Sequence, residues 1–107
     1  MTTPALTHMT KVEVIVSGND APVVRELIQS IGATGYTSLS GVSGLGHNGY
    51  HQGRLLFNQQ ATLELIITVV PPSTAQALLA GLRPLLDASS GVMFVTDTYV
   101  SRPEYFS

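Results

Sequence analysis

Polar and apolar residues alternate over Lys11-Val12-Glu13-Val14-Ile15-Val16, so a strand there carries Val12, Val14 and Val16 on one face and Lys11, Glu13 and Ile15 on the other. The period then lengthens. Ser17-Gly18-Asn19-Asp20 offers turn chemistry and an N-cap, and Pro22 falls in a first turn, where its missing N–H is harmless. Val24, Leu27, Ile28 and Ile31 follow at helical spacing, and Gly32 is the expected stop. Gly35-Tyr36-Thr37-Ser38-Leu39-Ser40 alternates weakly as a second strand and runs into a glycine-rich stretch, beyond which Arg54-Leu55-Leu56-Phe57 reads as a strand edge. Thr62–Val70 is the strongest strand pattern. Leu63, Leu65, Ile67 and Val69 share one face, and Ile66 and Val70 make the other apolar as well, so both faces of the sheet need covering. Pro71-Pro72-Ser73-Thr74 ends that strand and caps a second helix with the stripe Ala75, Leu78, Leu79, Leu82, Leu85 and Leu86. Pro84 is expected to kink or shorten its last turn. A polar turn, Asp87-Ala88-Ser89-Ser90-Gly91, leads to the last strand, Val92–Val100.

The order is β-α-β-β-α-β, a split βαβ arrangement of the α+β class with a four-stranded antiparallel sheet and both helices on one face. Residues 1–10 have no period and read as a flexible N-terminal arm with His8 solvated, residues 11–100 as one folded domain with a flexible loop over 41–60, and residues 101–107 as a C-terminal tail. With helices on one side only, Ile15, Ile66 and Val70 are expected to face outward and to need a partner. A closed homo-oligomer, here a trimer, supplies it.

Composition strengthens that expectation. Of 107 residues, 44% are apolar and only 11% charged, against about 25% charged in ordinary domains, so an interface must hide what charge does not cover. The net charge is −2, and the five Lys and Arg are spread singly. No basic stripe exists of the kind nucleic-acid binding requires. The absence of cysteine excludes disulfides, a thiolate zinc site and a cysteine nucleophile. No basic segment followed by an apolar core opens the chain, and no apolar run approaches the ~18 residues of a membrane helix. The chain reads as soluble, cytoplasmic and not membrane-embedded.

Candidate chemistry collects between Gly41 and Arg54, which holds five of the ten glycines and two of the three histidines. Glycine at that density lets backbone approach a ligand closely, while His47, Asn48, Tyr50, His51, Gln52 and Arg54 supply donors, acceptors and one permanent cation. Gly44-Leu45-Gly46 with Gly49 imitates a dinucleotide fingerprint, but no helical pattern follows and the next acidic residue is Glu64. A looser reading stands, in which loop N–H groups and Arg54 hold an anion. His47 and His51 are four apart and converge on a metal only on a helix, which the surrounding glycines oppose. Glu64 and Asp97 lie on strands that could adjoin, but a solvated face or an ion pair with Lys11 accounts for them better than a catalytic dyad. No catalytic residue is assigned, and the chain is not expected to be an enzyme.

From Lys11 to Val100 the sequence resembles the PII signalling family. The first strand and helix, Gly32-Ala33-Thr34-Gly35-Tyr36-Thr37, the Gly44-Leu45-Gly46 step into a long loop, the strand from Leu63 to Pro71 ending in Val-Val-Pro, and Val92-Met93-Phe94-Val95 fall in the family's order and spacing. The resemblance implies a ferredoxin-like βαββαβ homotrimer that binds adenine nucleotides in clefts between subunits. It implies that Gly35, Tyr36 and Thr37 border the adenine, that Gly44 and Gly46 open a ligand-responsive loop, and that Ser89-Ser90-Gly91 stands where the phosphate-gripping loop lies. The usual lysine of that loop is missing, and of the paired C-terminal arginines only Arg102 is near. Fewer cations compensate a triphosphate poorly, so ADP or AMP is expected over ATP. The loop also lacks the usual tyrosine modification context, and uridylylation is not expected.

The shortened pattern is similar to divergent PII-like proteins linked to carbon uptake and carboxysomes, which implies bicarbonate as a second ligand, no covalent cofactor, and a bicarbonate transporter or carboxysome component as target. Arg54, His47 and N–H groups of the glycine loop would hold the bicarbonate. Two alternatives stay open: a metal-binding trimer similar to copper-tolerance proteins, using His47 and His51, and a trimeric adaptor without a small ligand. Tyr105 and Phe106 either cover the nucleotide cleft or pack on the neighbour's sheet, and packing is the favoured reading.

Overall fold

The structure is a computed structural model that describes residues 6–43, 45–46, 49–50 and 62–107. Strand β1 (Thr7–Ser17) is followed by α1 (Ala21–Ile31), β2 (Thr37–Val42), a short antiparallel pair β3 (Leu45–Gly46) and β4 (Gly49–Tyr50), then β5 (Leu63–Val70), α2 (Pro72–Asp87) and β6 (Val92–Val100). A 3-10 turn, Pro103–Tyr105, lies in the tail. The four long strands form one antiparallel sheet in the order β2-β5-β1-β6. This is the βαββαβ architecture that the alternation of periods implies.

The core lies between the sheet and the helices. Val12, Val14, Val16, Ile66 and Val70 meet Val24 and Ile28 of α1 and Ala75, Leu78, Leu82 and Leu86 of α2. Each valine, leucine and isoleucine among them stabilises the fold by roughly 1.5–3 kcal/mol when fully buried. Asp20 stands at the cap of α1, but its carboxylate caps nothing and accepts from the Ser17 hydroxyl at 3.1 Å instead. Gly32 ends α1 with φ +103°, its N–H bonding to the Gln29 carbonyl at 3.1 Å and the Ala33 N–H to that of Ile28 at 3.3 Å. That pairing is a Schellman close, which needs the left-handed conformation glycine adopts without a Cβ penalty.

The structure departs from the sequence pattern at four places. Strand β1 starts at Thr7, so residues 7–10, read as the end of a flexible arm, pair with β6, His8 opposite Tyr99 and Thr10 opposite Asp97. His8 is not merely solvated: its Nε2 lies 2.8 Å from Asp97 Oδ1, and its ring is 5.5 Å from that of Tyr99. The parity of β5 is the reverse of the expectation, because Ile66 and Val70 pair with Val14 and Thr10 on the helix side and are fully buried. Strand β2 is displaced to Thr37–Val42, with a bulge between Ser40 and Val42 where Gly41 takes φ +74°. Finally, α2 runs past Pro84 to Asp87, its last turn closed by the Ala88 N–H on the Pro84 carbonyl at 3.1 Å.

The sheet face away from the helices carries one fully apolar transverse row and, beside it, a row of alternating polar and apolar residues. Register aligns Leu39, Leu65, Ile15 and Val92 in one row, and Thr37, Ile67, Glu13 and Phe94 in the next. Leu39 and Phe94 are each 52% exposed. Lys11 and Glu13, 4.0 Å apart, are the charged pair on this face.

Candidate functional site

Where β2 begins, Thr37 opposite Ile67, the chain between Thr34 and Tyr36 lies off the sheet and leaves β5 beyond Ile67 without a β2 partner on that edge. An open groove of about 420 Å³ forms there, lined by Thr34, Gly35, Tyr36, Thr37, Ile67, Thr68, Val69, Tyr105 and Phe106. Two hydroxyls set its walls. Thr68, buried on the helix side, donates to the Gly35 carbonyl at 2.7 Å and fixes the approach to β2. Thr34 donates to the Tyr105 carbonyl at 2.5 Å and ties the C-terminal tail to the same place. The tail leaves β6, at one edge of the sheet, and reaches Thr34, which precedes β2 at the other. Tyr105 is held a second time, for Arg102 Nη1 donates to its hydroxyl at 3.1 Å and the guanidinium carbon stands 5.6 Å from the ring centroid.

Among the described residues the lining is hydroxyl, backbone, aliphatic and aromatic, with no acid, base or charged side chain. Such a surface is equipped to hold a flat, neutral ring by stacking and backbone contact.

The candidate residues divide into three groups. Gly35, Tyr36 and Thr37 line the groove, and Arg102 stands beside it through Tyr105. Ser89, Ser90 and Gly91 lie at the opposite end of the sheet, because Val92 pairs with Ile15, which pairs in turn with Leu65 near the start of β5. Their turn is held locally: Ser89 Oγ accepts the Gly91 N–H at 3.1 Å, and an added Cβ on Gly91 would lie 2.7 Å from Leu86 Cδ2 and 2.8 Å from Val16 Cγ1. Gly46 belongs to β3, while Gly44, His47, His51, Arg54 and the strand edge Arg54–Phe57 lie outside the described residues.

Glu64 and Asp97 are not neighbours. Asp97 pairs with His8 at the β6 edge, and Glu64 accepts from both Arg25 of α1 and Ser38 of β2. Neither pairs with Lys11. Sequence reasoning missed Thr34, Ile67, Thr68 and Val69 as groove residues; Tyr105 and Phe106 join them in lining the groove of their own chain. Among the described residues no three or more His, Cys, Asp or Glu come together as a metal site, and no helix is long and apolar enough to cross a membrane.

The model of the family described as nitrogen regulatory protein P-II matches residues 9–105. Among solved structures, CPII of Thiomonas intermedia K12, a PII-like protein bound to ADP, AMP and bicarbonate, is 38% identical with a TM-score of 0.85, over 94% of this chain and 95% of that one. CPII bound to ADP and bicarbonate matches at 35% identity and TM-score 0.83, over 95% and 97% of the two chains. The GlnK–ATP complex of B. subtilis, 18% identical with a TM-score of 0.52 over 88% of this chain and 83% of that one, shares the fold. No curated protein matches the sequence.

Proposed function

The chain belongs to the nitrogen regulatory protein P-II family, and from that premise we propose that it senses an adenine nucleotide, ADP or AMP, together with bicarbonate and reports inorganic-carbon and energy status to a partner in the cytoplasm. The observation that carries this reading is the groove itself. Gly35, Tyr36 and Thr37, the residues that the family resemblance puts beside the adenine, line an uncharged and partly aromatic recess of about 420 Å³, within the usual range of roughly 300–1,000 Å³ for small-molecule sites. The 38% identical CPII is bound to ADP, AMP and bicarbonate, which supports the same ligands here.

The groove and the Ser89-Ser90-Gly91 turn sit at opposite ends of one sheet. A site that uses both is therefore completed by a neighbouring subunit. The apolar row through Leu39, Leu65, Ile15 and Val92, with Ile67 and Phe94 beside it, supplies the surface for such packing, and the assembly is a homotrimer. Bicarbonate is held by Arg54, His47 and N–H groups of the glycine-rich stretch, and residues 41–60 carry the signal to a bicarbonate transporter or a carboxysome component. The role is regulatory rather than enzymatic.

Thermal shift against AMP, ADP, ATP, cyclic AMP and bicarbonate, singly and in pairs, tests the reading through ligand linkage. ADP or AMP should raise the midpoint, further with bicarbonate present. No stabilisation by any nucleotide overturns it and leaves the adaptor reading, while a metal response that moves the His47 and His51 NMR signals favours the metal-binding one.

A further inference from the structure

The geometry points to Tyr105 as the residue that reads the base, by stacking its ring on the purine; this inference rests on the groove being a nucleotide site. The tail is not a loose end. The 3-10 turn closes with the Tyr105 N–H on the Arg102 carbonyl and the Phe106 N–H on the Pro103 carbonyl, both at 3.0 Å. Thr34 grips the Tyr105 carbonyl at 2.5 Å, and Arg102 grips its hydroxyl at 3.1 Å. The side chain is thus fixed at its main chain and at its tip. Its ring nevertheless remains exposed, with Tyr105 58% accessible and on the wall of the groove.

A large aromatic surface that is anchored and left uncovered is suited to a planar partner, since its ordering entropy is already spent before the ligand arrives. Arg102 engages the ring from its hydroxyl end, its guanidinium carbon 5.6 Å from the centroid, and the exposed face of the ring is left for the base. Among the described residues no other group lining the groove reaches for charge: the rest are threonine, glycine, valine, isoleucine and two further aromatics. The groove therefore selects for the flat uncharged part of a nucleotide, and the phosphates lie outside it. Tyr105 is a specificity residue supplied by the same chain that forms the floor at Gly35.

Titration calorimetry on the full chain tests this with ADP and AMP. Tyr105→Ala should weaken both about tenfold or more, the loss of one base–aromatic stack, while Tyr105→Phe, which keeps the ring and the Thr34 anchor but loses the Arg102 bond at its tip, restores most of the binding. The unliganded Tyr105→Ala protein should melt with the parent, because the side chain is mostly exposed. Tyr105→Trp adds a tryptophan to a chain that has none, and its emission should be quenched by ADP but not by pyrophosphate. Unchanged affinity in Tyr105→Ala overturns the assignment, and so does tighter binding, which would make the ring a plug. A parent protein that binds neither nucleotide fails the nucleotide reading itself, a separate outcome from a parent that binds and a variant that binds equally.

Discussion

The Arg25 guanidinium on α1 donates to the Glu64 carboxylate on β5, which also accepts the Ser38 hydroxyl of β2. Glu64 is buried and its arginine about one-third exposed. This group ties a helix to the two strands that enter and leave the segment between Ser43 and Thr62. Removing the cation leaves a buried carboxylate with one neutral donor, the situation in which breaking an ion pair is most destabilising. Arg25→Met should therefore lower unfolding free energy by about 3 kcal/mol, read from the urea midpoint at unchanged slope. The double variant Arg25→Met, Glu64→Leu should recover most of that loss. A double variant no more stable than Arg25→Met would show that the carboxylate is not the liability.

Two glycines that look alike in the sequence should respond in opposite ways. At Gly91 a Cβ has no room, with Leu86 Cδ2 at 2.7 Å and Val16 Cγ1 at 2.8 Å, so Gly91→Ala should destabilise by about 1–3 kcal/mol as overpacking does. At Gly35 a Cβ meets nothing within 4 Å. Gly35→Ala should stay within about 0.5 kcal/mol of the parent in stability while weakening ADP binding, because it lines the groove. Thermal melts with and without ADP separate the two effects. A Gly35→Ala protein with parental ADP affinity would remove Gly35 from the site.

These contrasts mark where the sequence could be read and where it could not. The core stripes of α1 and α2 and the valines of β1 were legible because local periodicity determines which side chains share a face. Strand β5 was ambiguous for a physical reason: both of its faces are apolar, and the face that holds Glu64 and Thr68 looked the more polar, yet it is the buried one. Its polar groups are satisfied by Arg25, Ser38 and Gly35, none of them within twenty residues in the chain. The Thr7–Thr10 extension of β1 is specified by Asp97–Val100, again with no local signal. The groove was half legible. Gly35, Tyr36 and Thr37 stood out by resemblance, whereas Thr34, Thr68 and the tail meet only through tertiary contacts.

The face opposite the helices gives a prediction about assembly. Phe94 is 52% exposed and aligned with Ile67 across Glu13, in a surface that the trimer proposal buries. Phe94→Glu would bring an unpaired charge into that interface beside Glu13. Light scattering should report a trimer for the parent and a monomer for the variant at micromolar concentration, with the helical circular dichroism retained because Phe94 is no part of the core. A variant that stays trimeric would move the interface elsewhere.

The two proposed ligands provide the last test, because linkage demands that their effects be mutual. If bicarbonate raises ADP affinity by some factor, ADP must raise bicarbonate affinity by the same factor, typically about 5–150-fold. Calorimetry of each ligand at saturating concentrations of the other should return equal ratios. Arg54 is the cation proposed to engage the bicarbonate, in the bidentate fork that guanidinium offers a planar oxyanion. Arg54→Gln should therefore reduce both ratios toward one while ADP affinity without bicarbonate stays at the parental value, since the groove at Gly35, Thr68 and Tyr105 is built from other parts of the chain. Loss of ADP binding in Arg54→Gln, with bicarbonate absent, would instead place the arginine at the nucleotide and leave bicarbonate without its proposed anchor.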